Sequence, residues 1–280
     1  MARKYENCIY DIPWPADQNF EEKNRLLMID KGGPCPTKFL SNTTWYLKAS
    51  TKGKGHHVSD CPEMLSWIGG DPDHPFDLNG EIVVYMNGEK HVMDKSFFLQ
   101  TPAFVPHCPY EVTRVDVPMI HIATPCSNTM QVTQLPDLAL REKETHYYDR
   151  YYITDASRDP LSSVDGQIRV LYGDGTTCPG GIVTRASWFK KDVPDGIVPM
   201  HKHGYDELLL FMGSDWNDPF ALNAEISFSI GGEEYTITRS SYIAIPPGVV
   251  HGPFRIGKLT RPVFMAAFHD SPFYNQIPEK

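Results

Sequence analysis

Four residues in the C-terminal half of the chain have the types and the spacing of metal ligands. His201 and His203 are two residues apart, Glu207 follows in HKHGYDE, and His251 ends the segment PPGVVH. On a β-strand, side chains two residues apart point to the same face, so the two histidines project together. Three imidazoles and one carboxylate suit a divalent first-row metal ion and leave positions open for water or substrate. The pattern therefore predicts a metal site formed by His201, His203, Glu207 and His251.

An incomplete copy of this pattern lies 144 residues upstream (201 − 57 = 144). His57, Glu63 and His107 occupy the positions of the first histidine, the glutamate and the last histidine, whereas Ser59 stands where the second histidine is expected. Two interpretations stay open for this copy. It is either a weaker metal site with two histidines and a glutamate, or an empty barrel with a structural role.

Two cysteines lie near this incomplete site. Cys61 and Cys108 are each close in sequence to a candidate ligand, and either thiol would be a softer substitute for the missing imidazole. Phe104 stands where the complete copy has Gly248, which further separates the two motifs.

The residues around both motifs predict β-strands. AEISFSI and GEIVVYM alternate apolar and polar residues at period two, and the Gly-Gly and Asn-Gly pairs that follow them are hairpin signals. The sequence contains 24 prolines and 21 glycines and shows no convincing long helix. Many short antiparallel strands favour a jelly-roll barrel over a parallel α/β sheet. Because the motif occurs twice, we predict an all-β protein with two tandem jelly-roll barrels.

The predicted organisation has four parts. Residues 1–39 are an N-terminal extension, and residues 40–126 are a barrel with a degenerate metal site. Residues 127–165 link the halves, and residues 166–280 form a barrel with a complete metal site. The linking segment contains four tyrosines, which we expect to pack between the barrels because so many are seldom left in open solvent.

The motifs resemble those of the cupin superfamily. The pattern G-(X)n-H-x-H-(X)3–4-E-(X)n-G is matched from Gly196 to Gly213, and P-x-G-x-x-H is matched from Pro246 to His251. The duplication resembles the two-domain bicupins, over roughly residues 40–125 and 180–270. The resemblance implies a metal-binding role for the four ligands of the C-terminal half. Iron(II) is the first expectation, with manganese(II), nickel(II) or zinc(II) as alternatives.

Other residues are candidates for the same pocket. Tyr205 lies in the turn between ligands, and we predict that it and Glu207 are catalytic. Arg185 and Arg255 lie on strands that should flank the site, and an inward arginine would suit a carboxylate or enolate oxygen. For both arginines the surface position is the favoured expectation.

Composition limits the function classes. With 26 basic and 35 acidic residues, the net charge is −9, which disfavours nucleic acid and anionic membranes as partners. The N-terminus is charged and Pro-rich without the apolar core of a secretory signal, so a cytoplasmic location is expected. The expected partner is a small-molecule substrate, and the sequence leaves a homo-oligomer open.

The resemblance implies three functions. The first expectation is a non-heme metal dioxygenase acting on a small oxygenated molecule, aromatic or similar to a diketone or enol. The second is a redox-neutral isomerase, decarboxylase or lyase in which the metal stabilises an enolate. The third is a non-catalytic bicupin that binds a small molecule. Cupin motifs specify fold and metal more than reaction.

Overall fold

The protein is built almost entirely of β-strands. The structure is a computed structural model that describes residues 3–11, 23–29, 37–51 and 55–279. Within this part of the chain the helices are two short 3₁₀ turns, Glu6–Cys8 and Tyr148–Tyr151. Of the predicted N-terminal extension, residues 12–22 and 30–36 lie outside the described residues.

The strands of the two halves follow each other in the same order. In the first half they are β1 Ile9–Tyr10, β2 Lys23–Ile29, β3 Ser41–Tyr46, β4 His57–Ser59, β5 Glu63–Gly69, β6 Asp77–Met86, β7 Glu89–Lys95, β8 Phe97–Thr101, β9 His107–Val115, β10 Met119–Pro125, β11 Val132–Gln134 and β12 Tyr152–Ile153. In the second half they are β13 Gln167–Gly173, β14 Val183–Phe189, β15 Val193–Ile197, β16 His201–Lys202, β17 Glu207–Gly213, β18 Ala221–Ile230, β19 Glu233–Arg239, β20 Ser241–Ile245, β21 His251–Gly257, β22 Val263–His269 and β23 Ile277–Pro278.

Each half is a sandwich of two sheets. The first half has the strand orders β12-β8-β5-β10-β3-β2 and β11-β4-β9-β6-β7. The second half has the orders β1-β20-β17-β22-β14-β13 and β19-β18-β21-β16-β23, and β15 also pairs with β21. All pairings between these strands are antiparallel. The predicted all-β fold with two tandem jelly-roll barrels is confirmed.

The strand register repeats with the predicted offset of 144 residues. His57 pairs with His107 in the first half, as His201 pairs with His251 in the second. The motif glycine at the end of β17 is fixed by a close backbone approach, because a Cβ on Gly213 would lie 2.0 Å from the carbonyl oxygen of the facing strand. The equivalent glycine of β5 has the same crowding, with a distance of 1.9 Å.

The two barrels pack sheet against sheet. Along β17, Leu208, Leu210 and Met212 join a core cluster shared with the first half, whereas Leu209 and Phe211 point into the C-terminal barrel. With apolar partners on both faces, every residue of β17 is buried. The inner sheets therefore position the site rigidly, since a packed core yields little to displacement.

Short strands are exchanged between the halves. β1, which precedes the first barrel, pairs with β20 of the second through Ile9 and Ile243. β12, which precedes the second barrel, pairs with β8 of the first through Tyr152 and Leu99. Of the four tyrosines in the linking segment, Tyr151 is buried and Tyr147 is exposed, so the expectation that all of them pack holds only in part.

In the described part of the chain, neither helical turn has the length or the apolar character that crossing a membrane requires.

Candidate metal centre

The predicted ligands of the C-terminal half converge at one end of its barrel. His201 on β16 lies opposite His251 at the start of β21, and His203 follows two residues after His201. Glu207 begins β17 in the facing sheet. The ligands therefore come from both sheets of the sandwich, and all four are buried.

The three imidazole rings are oriented by the backbone. Each ring places its Nδ1 against a carbonyl oxygen: His201 against Pro199 at 2.7 Å, His251 against Val249 at 2.9 Å and His203 against Asn275. A carbonyl can only accept, so Nδ1 must carry the proton in each neutral ring. That tautomer leaves the lone pair on Nε2, the usual arrangement of a metal-binding histidine with an outer-sphere acceptor.

The Nε2 atoms and the Glu207 carboxylate face one another. The Nε2 atoms of His201 and His203 are 3.1 Å apart, and Nε2 of His251 is 2.8 Å from Oε2 of Glu207. One ligand atom from each of the four residues lies within 4.8 Å of the others. Within the described chain, Oε2 of Glu207 and Nε2 of His251 are buried without a hydrogen-bond partner of good geometry. Buried lone pairs that face one another in this way fit a divalent cation.

The environment favours the deprotonated form of three of the four ligands. Burial, together with the nearby His251, lowers the pKa of His201 to about 4, and burial also lowers the pKa of His203. Burial alone would raise the pKa of Glu207, but the positive charge available on His251, His269 and His203 outweighs it and lowers that pKa. Burial likewise opposes protonation of His251, yet the Glu207 carboxylate raises its pKa.

A fifth residue, His269, completes the site and was missed by the sequence analysis. It lies at the end of β22 opposite Glu207, and its Nε2 is 2.8 Å from Oε1 of that carboxylate. Burial lowers the pKa of His269 to about 3, so the ring is neutral and donates one hydrogen bond. The residue at the same position in the first half is Pro125, so His269 is not part of the repeated motif and comparison of the two copies did not reveal it. Only the end position on an apolar strand, FMAAFH, pointed to it.

The end of the chain supports the ligands from outside. β23 pairs with β16, and the Asn275 carbonyl that holds His203 also accepts a hydrogen bond from the Tyr205 hydroxyl at 2.8 Å. The Tyr205 ring stacks on His203 with 4.8 Å between ring centroids. Tyr205 lies outside the wall of the metal pocket, to which Tyr274 contributes instead. The structure thus places Tyr205 behind a ligand, and its predicted catalytic role stays a prediction.

In the incomplete copy of the first half, neighbours engage the Glu63 carboxylate, whereas Nε2 of His57 is buried without a hydrogen-bond partner among the described residues. Ser59 donates a hydrogen bond to Oε2 of Glu63 at 3.0 Å, and Nε2 of His107 lies 3.2 Å from the same oxygen. Nε2 of His57 is 3.9 Å from it. Cys108 offers its sulfur within 4.8 Å of ligand atoms of His57 and His107. These residues lie together as the repeat predicts, and whether they bind a metal stays a prediction.

The two cysteines near this copy differ in their surroundings. Unlike Cys108, Cys61 does not belong to the group of candidate ligands. Burial and the negative charge of Asp60 raise the pKa of Cys61 to about 11. A thiol that resists deprotonation is a poor metal ligand.

The pocket above the metal ligands is small and mostly apolar. Its volume is about 50 Å³, and its walls include Leu209, Phe228, Met265 and Ala267. Since one buried water needs about 10–15 Å³, the pocket has room for a few water molecules or a ligand of similar size. Exclusion of bulk water strengthens the electrostatic interactions inside it.

The expectation that both flanking arginines lie at the surface is wrong for Arg185. Its side chain is 7% exposed, lines the metal pocket and contacts Asp159 through Nε at 3.2 Å. The Arg255 side chain is 42% exposed and pairs loosely with Glu234. Arg185 points inward because β14 pairs with β22 in a register that places it beside Ala267 on the barrel face.

Comparison with known proteins identifies the fold. No protein-family model and no curated protein sequence matches this chain. Vicilin from hazelnut, Corylus avellana, is similar in structure, with a TM-score of 0.63, 8% identity, 98% of this chain covered and 88% of that one. Oxalate decarboxylase from Bacillus subtilis at pH 4.6 is similar with a TM-score of 0.59 and 10% identity, covering 90% of this chain and 73% of that one. A deletion mutant of the same decarboxylase gives a TM-score of 0.61 at 10% identity, with 93% and 76% covered. At these identities the likeness shows the two-barrel cupin fold.

Proposed function

We propose that the C-terminal barrel binds one divalent metal ion and catalyses a redox-neutral reaction on a small oxygenated organic molecule. The observation that carries this proposal is the convergence of three Nε2 lone pairs and one carboxylate in a buried pocket. His201, His203, Glu207 and His251 would hold the ion, with iron(II) or manganese(II) as the first candidates. The bound ion would act as a Lewis acid that polarises a substrate oxygen.

The residues around the ligands orient the ligands and exclude water from the pocket. The backbone carbonyls fix the rings, His269 holds one oxygen of Glu207, and the apolar wall excludes water. Glu207 is proposed to act as a ligand through Oε2, which lacks a hydrogen-bond partner among the described residues, while Oε1 is engaged by His269. Its negative charge would set how strongly the ion polarises a bound oxygen. Tyr205 is proposed to keep His203 in place through its stacked ring.

Redox-neutral chemistry is preferred here over the dioxygenase expected first. Structures of a decarboxylase that acts on oxalate share the fold across about nine tenths of this chain. The small pocket supports a substrate of few atoms over a large phenolic ring. The dioxygenase stays a prediction that the same experiment tests.

The deciding experiment combines metal analysis with turnover. Protein purified without chelators would be analysed for metal and then incubated with small oxo- and hydroxy-acids, including oxalate, with and without oxygen. Equal turnover under both conditions, with release of CO₂ or an isomer and no oxygen uptake, would support the proposal. Turnover that requires oxygen would replace it with the dioxygenase.

A non-catalytic binding protein is the second candidate. The likeness to hazelnut vicilin over 98% of this chain supports it, as does the hydrogen bond of Ser59 to the Glu63 carboxylate in the N-terminal copy. Metal-free protein that binds small molecules without converting them would favour this candidate over both enzymes.

A further inference from the structure

Arg185 is a buried cation with an unused donor beside the metal pocket. Its side chain is 7% exposed, and its Nη2 is buried without a hydrogen-bond partner among the described residues. An arginine stays charged in proteins, so a buried Nη2 without an acceptor carries a considerable free-energy cost. An anion at this position would remove that cost.

Arg185 shares its ion-pair partner with a second arginine. Asp159 is 3% exposed and lies 3.2 Å from Nε of Arg185, but it also lies 3.7 Å from Nη1 of Arg169. Two guanidinium groups thus share one carboxylate. The carboxylate accepts only from Nε of Arg185, which leaves the N–H groups of Nη2 for a further acceptor.

Aromatic rings hold the guanidinium in place. Its Cζ lies 4.2 Å from the ring centroid of Tyr274 and 5.0 Å from that of Tyr172. Cation–π contacts of this kind stabilise the charge without using its N–H donors. The group is therefore positioned before any ligand arrives, which reduces the entropy lost on binding.

Arg185 lines two neighbouring pockets. One is the metal pocket, whose wall includes His201, Glu207 and His251, and the other is a cleft of about 220 Å³ that contains Gln167 and Ser162. Ala267 lies on β22, between the strands that carry Arg185 and Leu209, and pairs with both residues. Its small side chain leaves space between the guanidinium and the metal ligands.

We infer that Arg185 binds the carboxylate of the substrate while a second oxygen of the same molecule reaches the metal ligands. The site then selects small hydroxy- or oxo-carboxylic acids, because a planar carboxylate matches the guanidinium fork and the pocket holds only a few atoms. This inference rests on the proposed function for the statement that the bound acid is a substrate. The carboxylate contact itself is tested by binding alone.

The test compares glycolate with ethylene glycol, which has a hydroxymethyl group in place of the carboxylate. Both would be titrated by calorimetry into manganese(II)-loaded parent protein and into R185Q, R185K and R255Q, each checked for metal content and thermal unfolding. We expect R185Q to weaken glycolate at least about tenfold, about 1.4 kcal/mol, and to leave ethylene glycol unchanged. R185K should fall between R185Q and the parent, and the exposed R255Q should match the parent.

Several results would overturn the inference. One is glycolate affinity that survives in R185Q at equal metal content. A loss shared by ethylene glycol would indicate a damaged pocket, and displacement of glycolate by equimolar inorganic phosphate would remove the selectivity for carboxylates. If R185Q does not fold, the loss of glycolate affinity in R185K against R255Q decides. If R185Q selectively loses glycolate affinity but no acid is turned over, the carboxylate contact is supported and the proposed reaction fails. If an acid is turned over but glycolate affinity in R185Q is unchanged, the proposed reaction is supported and the carboxylate contact fails.

Discussion

The two barrels share a fold and differ in what fills the space above the ligand positions. In the C-terminal barrel, Phe211, Phe254 and Met265 leave a pocket beside the metal ligands. At the same strand registers the N-terminal barrel has Trp67, Tyr110 and His121. Trp67 and His121 stack with 4.1 Å between ring centroids, and Trp67 also contacts Tyr110. Larger rings thus occupy the volume that the other barrel leaves open.

The chemical groups change together with the volume. The second histidine is replaced by Ser59, the partner of the glutamate by Pro125, and the inward arginine by Asn42, which pairs with Ala123. The N-terminal barrel thus lacks the second histidine, the histidine that holds the glutamate and the buried arginine. The comparison teaches that the strand frame persists when the residues of the site change, because the frame depends on apolar alternation and turn glycines and not on the ligands.

The largest expected effect is on metal content. His201→Ala removes one of four converging ligands, so metal bound per chain should fall from about one to near zero. The loss in affinity should exceed the roughly 10–100-fold that removal of an outer partner costs. His57→Ala should leave the content unchanged. Elemental analysis of both variants, purified without chelators, makes the comparison, and the opposite pattern would show that the N-terminal barrel is the metal-binding half.

The next effect is on turnover. Glu207→Gln keeps the shape of the side chain but provides a neutral and weaker ligand, so metal affinity and turnover should both fall while the thermal midpoint changes little. Glu63→Gln should lower neither, since Glu63 belongs to the incomplete copy, where it accepts a hydrogen bond from Ser59 and lies 3.2 Å from Nε2 of His107. Turnover and bound metal would be measured side by side. Equal losses in both variants would mean that the barrels share the work.

A smaller effect is expected at His269. His269→Ala removes the hydrogen bond to Oε1 of Glu207 and should weaken metal binding about 10–100-fold. His269→Gln can still donate to that oxygen and should recover part of the affinity. Competition with a fluorescent chelator would measure both. If alanine and glutamine behave alike, the role of His269 is packing and not the orientation of Glu207.

The smallest effect is a gain in the N-terminal barrel. Ser59→His restores the missing imidazole beside Glu63, and a second, weakly bound metal should appear at high metal concentration. Ser59→Ala is the matched control, since it also removes the hydroxyl but adds no ligand. Metal titration by calorimetry would resolve the second site. If the histidine gains nothing over alanine, the rings of Trp67 and His121 exclude the ion, and the loss of volume is what disabled this half.

Sequence alone predicted the ligands for a physical reason. Strand periodicity of two fixes which side chains share a face, so His201 and His203 could be assigned together, and the repeat supplied Glu207 and His251. The same reasoning failed for Arg185, whose inward direction depends on the register between β14 and β22. It failed for His269 because no second copy of that residue exists.

Local pattern, glycine spacing and the internal repeat determined the all-β fold, its duplication and the four candidate ligands. The tertiary structure decided which groups act with those ligands. Asn275 lies 72 residues from the imidazole that it holds, and His269 lies 62 residues from the carboxylate that it contacts. Contacts of this range depend on strand order, register and the pairing of β23 with β16. Spacing along the chain carries no information about which distant strands become neighbours, so these partners could be found only after the barrel had closed.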